Sequence, residues 1–118
     1  MAKKQYYYKK GDIVETVLPH KENLKIIEKR TVLIILRTIG NMLNVLRMTT
    51  KDKKYHEPYR IILHDEDLLA GKKLKQSPSY ILLNEPATID TKLIKRKYGK
   101  VNKDKMNDIL KEFRELYK

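Results

Sequence analysis

The sequence predicts a single, mostly β domain that ends in one amphipathic helix. Three observations carry this expectation. Short apolar runs rich in Val, Ile and Thr recur with Gly, Pro and Asn between them. Apolar residues at helical spacings of three and four appear in the final segment. A chain of 118 residues can bury one core and hardly two.

Residues 1–10, MAKKQYYYKK, form a basic, tyrosine-rich extension ahead of a domain spanning 11–118. Two readings of it stay open: a Lys/Tyr arm that stacks on and neutralises a nucleic acid strand, or a disordered tail. GDIVETVLP, 11–19, opens on a turn signal and runs as a first strand to Pro19. HKENLKIIEK, 20–29, reads as a charged loop or a hairpin extension. RTVLIILRTI, 30–39, is apolar on both faces and therefore central. Gly40-Asn41 signals a two-residue hairpin turn, and MLNVLRMTT, 42–50, returns as the partner strand.

YRIILH, 59–64, is a short strand, and 65–78 is a connection with one helical turn. SYILLNEPATI, 79–89, is a strand in which Pro86 marks an edge or a bulge. Asp90 caps a short turn running through Lys97, ended by Gly99. In the segment 102–118, Asn102 is the cap, and Met106, Ile109, Leu110, Phe113 and Tyr117 make one apolar stripe. The sum is about five strands followed by a helix.

Composition narrows the partners. The chain has 27 Lys and Arg against 15 Asp and Glu, a formal charge of +12, which points to a polyanion or another acidic partner. There is no cysteine, so disulfides, thiolate catalysis and thiolate zinc sites are excluded. His20, His56 and His64 stand singly, without metal-ligand spacing. The N-terminus lacks the apolar core of a signal peptide, and the longest apolar run, VLIIL at 32–36, falls far short of a membrane span. The expectation is a cytoplasmic protein that uses no cofactor and no metal.

The stretch RMTTKDKKYHEP, 47–58, is the densest candidate site. A strand delivers two hydroxyls into a group comprising Lys51, Lys53, Lys54, Tyr55 and His56. With Gly40-Asn41 as the turn, paired positions sum to 81, so Val32 opposes Thr49, Thr31 opposes Thr50 and Arg30 opposes Lys51. Residues 30, 32, 47, 49 and 51 then share one face, with Arg30 the diagonal neighbour of Thr49. Thr50 falls on the other face beside Thr31, and a three-residue turn would exchange the faces. An arginine fork and a hydroxyl directed at one spot can grip phosphate oxygens and stabilise developing negative charge. The alternative is a solvated sheet edge with ordinary charges. His56 is either a general base, a stacking side chain or an ordinary surface histidine.

These residues resemble the PemK/MazF toxins, the endoribonucleases of bacterial toxin–antitoxin pairs. The similarity runs from Gly11 to Tyr117 and lies in GDIV at 11–14, Arg30 ahead of a β-branched strand, MTTK at 48–51, ILLNEPATID at 81–90 and the closing helix. It implies a small SH3-like β-barrel of the CcdB/MazF type with a C-terminal amphipathic helix. It further implies a homodimer that binds single-stranded RNA, is silenced by an acidic antitoxin protein, and has no membrane partner. Cleavage in the family is metal-independent: the ribose 2′-OH attacks, leaving a 2′,3′-cyclic phosphate and a 5′-OH. Arg30 and Thr49 match the family's catalytic arginine and threonine. RNA contacts are expected from Arg47, Lys51, Lys53, Lys54, Tyr55, His56, Asn84 and Glu85. The chain departs from the family at Thr31, where proline is usual, and at Asn84–Ala87. The alternative is a relative that binds RNA, DNA or a protein target without cleaving, as the CcdB toxins bind a topoisomerase. A ribosome- or DNA-associated basic protein of another fold is a further rival, with a steep salt dependence and no cleavage.

Overall fold

The computed structural model describes residues 8–19, 25–37, 40–51, 59–69, 74 and 77–117. Six strands form one antiparallel sheet: β1 (Asp12–Pro19), β2 (Ile27–Arg37), β3 (Met42–Thr49), β4 (Arg60–Leu63), β5 (Ser79–Asp90) and β6 (Arg96–Lys100). A helix, α1 (Lys103–Leu116), follows them. The spatial order is β4-β5-β3-β2-β1-β6, so the most apolar strands, β2 and β3, lie at the centre. Both faces of β2 are needed inside: Leu33 and Ile35 enter one core, Val32 and Ile34 the other.

The first core lies under α1 and joins Ile13, Leu33, Leu46, Met48 and Ile81 to Met106 and Ile109 of the helix. The helix starts where expected, because the Asn102 side chain accepts the Lys105 N–H at 2.8 Å and satisfies an otherwise orphaned donor. The second core, on the opposite face, joins Val14, Leu18, Val32, Ile34, Leu43, Val45, Ile89 and Ile94, with Tyr8 packed against it. The expected barrel is an open one. β4 and β6 are the two edges, and just beyond them Leu68 and Val101 form a single bridge, with Leu69 N–H on the Lys100 carbonyl at 2.9 Å.

Two expectations require correction. The turn expected from Asp90 to Lys97 is shorter: Asp90 caps a 3-10 turn at Thr91–Leu93, accepting the Lys92 N–H at 3.0 Å. The chain then forms β6, and Gly99 is buried inside that strand rather than ending a turn. The sequence RKYGK hides a strand because edge strands carry charge to deter further pairing.

The hairpin register is the second correction. Arg37 pairs with Leu43 and Leu36 with Asn44, which centres the pairing on Gly40 (φ +79°), one step away from the expected register. A shift between Ile34 and Leu36 then changes the pairing again, to Ile34 with Val45 and Val32 with Arg47. Each step alone would exchange the faces. Together they restore parity, so Arg30, Val32, Arg47 and Thr49 share a face although every expected partner was wrong. Thr31 pairs with Glu15 on its β1 side, and the β2–β3 register does not set it opposite Thr50, which lies past the end of β3.

Pro86 pairs with Leu46 inside β5, next to a register shift in which β5 has extra residues between Ile81 and Pro86. β4 pairs only with Ser79–Leu82, so Pro86 occupies a part of β5 with β3 on one side, where its missing N–H costs no bond in the ladder to β4.

Candidate functional site

The second-core face changes character along its length. β2 reads Ile34, Val32, Arg30, Glu28 outward from the hairpin, and β3 reads Leu43, Val45, Arg47, Thr49. Both strands turn from buried aliphatics to charged and hydroxyl groups at the level where Val32 pairs with Arg47. The aliphatic half is covered by Ile94 and Tyr8. The polar half is half-buried and open, which is where a ligand can reach it.

Counted on from Val32–Arg47, position 30 falls opposite position 49, although the β2–β3 ladder itself ends at Val32. β1 lies on the other side of β2, with Thr16 paired to Arg30 and Leu18 to Glu28. Thr16 is fully buried and donates to the Leu93 carbonyl at 3.1 Å, so it forms a closed floor beside Arg30.

Two guanidinium groups meet here. Arg47 donates from Nη2 to the Pro19 carbonyl at 3.1 Å, which ties β3 to the end of β1. Burial lowers the hold of Arg47 on its proton, and the neighbouring Arg30 cation lowers it further, while Glu85 and then Glu28 oppose that shift. Arginine still stays charged at neutral pH. The site therefore keeps two like charges together, offset by two carboxylates.

Arg30 is the less satisfied of the pair. Its Nη1 stands 3.7 Å from the Glu28 carboxylate, with the two side chains 32% and 36% exposed. Its Nε is buried and has no hydrogen-bond partner among the described residues. A buried donor without an acceptor costs about 1–3 kcal/mol. An anionic oxygen at that position would remove the cost.

The Thr49 hydroxyl oxygen accepts the Lys51 backbone N–H at 3.1 Å. The hydroxyl keeps its own proton as a donor. Thr49 pairs directly with Tyr80 of β5, and the Arg60 Cζ of β4 lies 5.5 Å from the Tyr80 ring centre. Thr50 and Lys51 are exposed past the end of β3. Asn84 is exposed and Glu85 half-buried, both in the part of β5 with extra residues opposite Arg47. Lys53, Lys54, Tyr55 and His56 lie outside the described residues.

Glu28, Arg60 and Tyr80 were not singled out from the sequence. Glu28 falls in the segment read as a charged loop or a hairpin extension; the β1–β2 pairing makes it the extension, and its place two and four residues before Arg30 and Val32 is the signal that β2 begins earlier. Arg60 and Tyr80 meet only through the β4–β5 pairing, which no local pattern reveals.

A separate groove of about 550 Å³ lies between α1 and the hairpin end of the sheet, lined by Ile35, Leu36, Pro86, Leu110 and Phe113 with Lys10 and Arg114 among its other residues. It shares none of the arginine, threonine or glutamate groups described above. Among the described residues no cluster of three or more His, Asp or Glu side chains could hold a metal ion. Among them, too, no helix is long and apolar enough to cross a membrane.

Comparison with known proteins agrees with this architecture. No curated protein matches the chain. Among solved structures, an endoribonuclease in complex with its cognate antitoxin from a mycobacterial species superposes with a TM-score of 0.67 at 15% identity, covering 90% of each chain. A MazE–MazF complex from Deinococcus radiodurans gives 0.68 at 12% identity, covering 93% of this chain and 95% of that one. The Mycobacterium tuberculosis toxin MazF-mt6 gives 0.58 at 16% identity over 88% and 95%. At such identities these likenesses establish the fold. A family model matches residues 9–117, and on that match the chain belongs to the PemK-like, MazF-like toxins of type II toxin–antitoxin systems.

Proposed function

We propose that the protein is an endoribonuclease toxin that cleaves single-stranded RNA by attack of the ribose 2′-OH on the adjacent phosphate, with Arg30 and Thr49 as its catalytic residues. The supporting observation is the buried, unpartnered Nε of Arg30, on the same face as Arg47 and the hydroxyl of Thr49. In this reaction the 2′-oxygen bonds to phosphorus and the 5′-oxygen leaves. Water is neither consumed nor released, and the products are a 2′,3′-cyclic phosphate and a 5′-OH. The nucleophile belongs to the substrate, so the protein must position the phosphate, stabilise its added charge and move protons.

Arg30 supplies the Nε and Nη donors to the non-bridging oxygens, a geometry a guanidinium fits better than an ammonium. Arg47 adds a second fixed cation. Thr49 donates one further hydrogen bond. The two cations, partly offset by Glu85 and Glu28, draw the phosphate in; Arg47 acts mainly on binding, and Arg30 stabilises the charge added in the transition state.

Lys51, Asn84 and Glu85 line the approaches and contact the flanking RNA, joined by Lys53, Lys54, Tyr55 and His56. A homodimer extends the groove across two copies. An acidic antitoxin segment occupies the same basic surface and silences it. The test is incubation of the purified protein with single-stranded RNA, duplex RNA and DNA in EDTA. Cleavage of single-stranded RNA alone is expected. A requirement for Mg²⁺, or equal cutting of DNA, would refute the mechanism.

A further inference from the structure

Attack by a 2′-OH needs a proton acceptor, and neither Arg30 nor Arg47 can be one. A guanidinium holds its proton beyond pH ~12 and is acceptor-free. The Thr49 hydroxyl, which accepts the Lys51 N–H, is a neutral alcohol and far too weak a base to take the proton. Among the described residues coupled to this face, the remaining proton acceptors are the carboxylates of Glu28 and Glu85.

We propose that Glu28 is the general base for the 2′-OH, an inference that rests on the ribonuclease reading above. Glu28 and Arg30 stand two residues apart on β2 and so project to the same face. The Glu28 Oε1 lies 3.7 Å from Arg30 Nη1, longer than a hydrogen bond of about 2.7–3.2 Å, so the carboxylate is held beside the guanidinium without being locked to it. In this proposal a phosphate oxygen gripped by the exposed Nη edge of the Arg30 guanidinium brings its ribose alongside Glu28. The group opposite Glu28 on β1 is the apolar Leu18, which does not compete for the carboxylate. Glu85 is placed differently: it is the larger of the two acidic influences on Arg47, from the far side of β3.

The proton balance closes. Glu28 takes the 2′-OH proton as the 2′-O–P bond forms. The 5′-oxygen leaves and takes a proton from solvent, and Glu28 returns its proton to solvent. The carboxylate ends ionised, ready for the next turnover.

The experiment is single-stranded RNA cleavage by full-length wild type, Arg30→Ala, Glu28→Gln, Glu28→Ala, Glu28→Asp and Glu85→Gln. Affinity is measured separately on an oligonucleotide that is 2′-deoxy at the cut position. Glu28→Gln should lower kcat by about 10²–10⁴, the usual contribution of a general base, and leave affinity for the uncleavable strand nearly unchanged. Glu28→Asp should keep part of the rate. Added formate should restore activity to Glu28→Ala in proportion to its concentration, a rescue that a residue merely orienting Arg30 would not show. If wild type cleaves and Arg30→Ala does not, while Glu28→Gln keeps the wild-type kcat or Glu85→Gln alone shows the loss, Glu28 is not the base and the ribonuclease reading survives. Wild-type protein that binds RNA and leaves it intact overturns both.

Discussion

The Thr49 hydroxyl accepts the Lys51 backbone N–H at 3.1 Å, so the proton that Thr49 can offer a ligand is its own. Thr49→Val removes that donor at nearly constant shape. A hydrogen bond to a charged group contributes about 1.5–3 kcal/mol, so kcat should fall roughly 10- to 150-fold. RNA affinity and melting temperature should change little. Thr50→Val, at an exposed residue past the end of β3, should leave the rate close to wild type. Loss of cleavage in Thr50→Val with an active Thr49→Val would place the wrong threonine in the site.

Arg30 and Arg47 should separate by kinetic parameter. Arg30→Ala should cost about 10²–10³ in kcat, as removal of one oxyanion-hole donor does. Arg30→Lys should recover little, since an ammonium lacks the planar fork. Arg47 is already committed to the Pro19 carbonyl, so Arg47→Ala should act mainly through binding. It should raise KM and reduce the salt slope of RNA binding by about one. Equal kcat losses for the two variants, with unchanged affinity, would contradict this division.

Stability should depend on a carboxylate outside the site. The Asp12 side chain is 1% exposed, accepts the Lys9 N–H at 2.8 Å and holds Lys97 and Lys100 at 3.3 and 3.4 Å. It fixes the start of β1 against β6. Asp12→Asn should lower unfolding free energy by about 1.5–3 kcal/mol in urea titrations, with cleavage per folded molecule retained. A variant as stable as wild type would mean that this buried cluster is held by backbone pairing alone.

The basic face should be shared by RNA and antitoxin. Binding of an acidic antitoxin segment should weaken steeply as salt rises and should compete with a single-stranded oligonucleotide. Simultaneous binding of both without interference would remove the shared-surface proposal.

What the sequence revealed, and what it concealed, follows from which signals are local. Asn102 and the stripe from Met106 to Tyr117 are local, and α1 forms where they put it. The apolar runs of β1 to β3 are equally plain. The hairpin register was not legible, because Ile34, Ile35 and Leu36 look alike in sequence and only packing decides where the extra residue sits. The shared face of Arg30 and Thr49 held because two one-residue shifts in the same direction add to two, which changes every partner and keeps the face. β6 was hidden because its residues are mostly charged, and Glu28 because a polar strand end resembles a loop. The Arg60–Tyr80 contact depends on how β4 registers against β5, which periodicity within either strand does not reveal.

The central claim is the chemistry at the cut. It is tested most directly by end-group analysis of RNA cleaved by the purified protein in EDTA, beside the same RNA carrying one 2′-deoxy residue at the cut position. The proposed mechanism predicts a 2′,3′-cyclic phosphate and a 5′-OH from the first and no cleavage of the second. Products with a 3′-OH and a 5′-phosphate, or unimpaired cutting at the 2′-deoxy site, would contradict it.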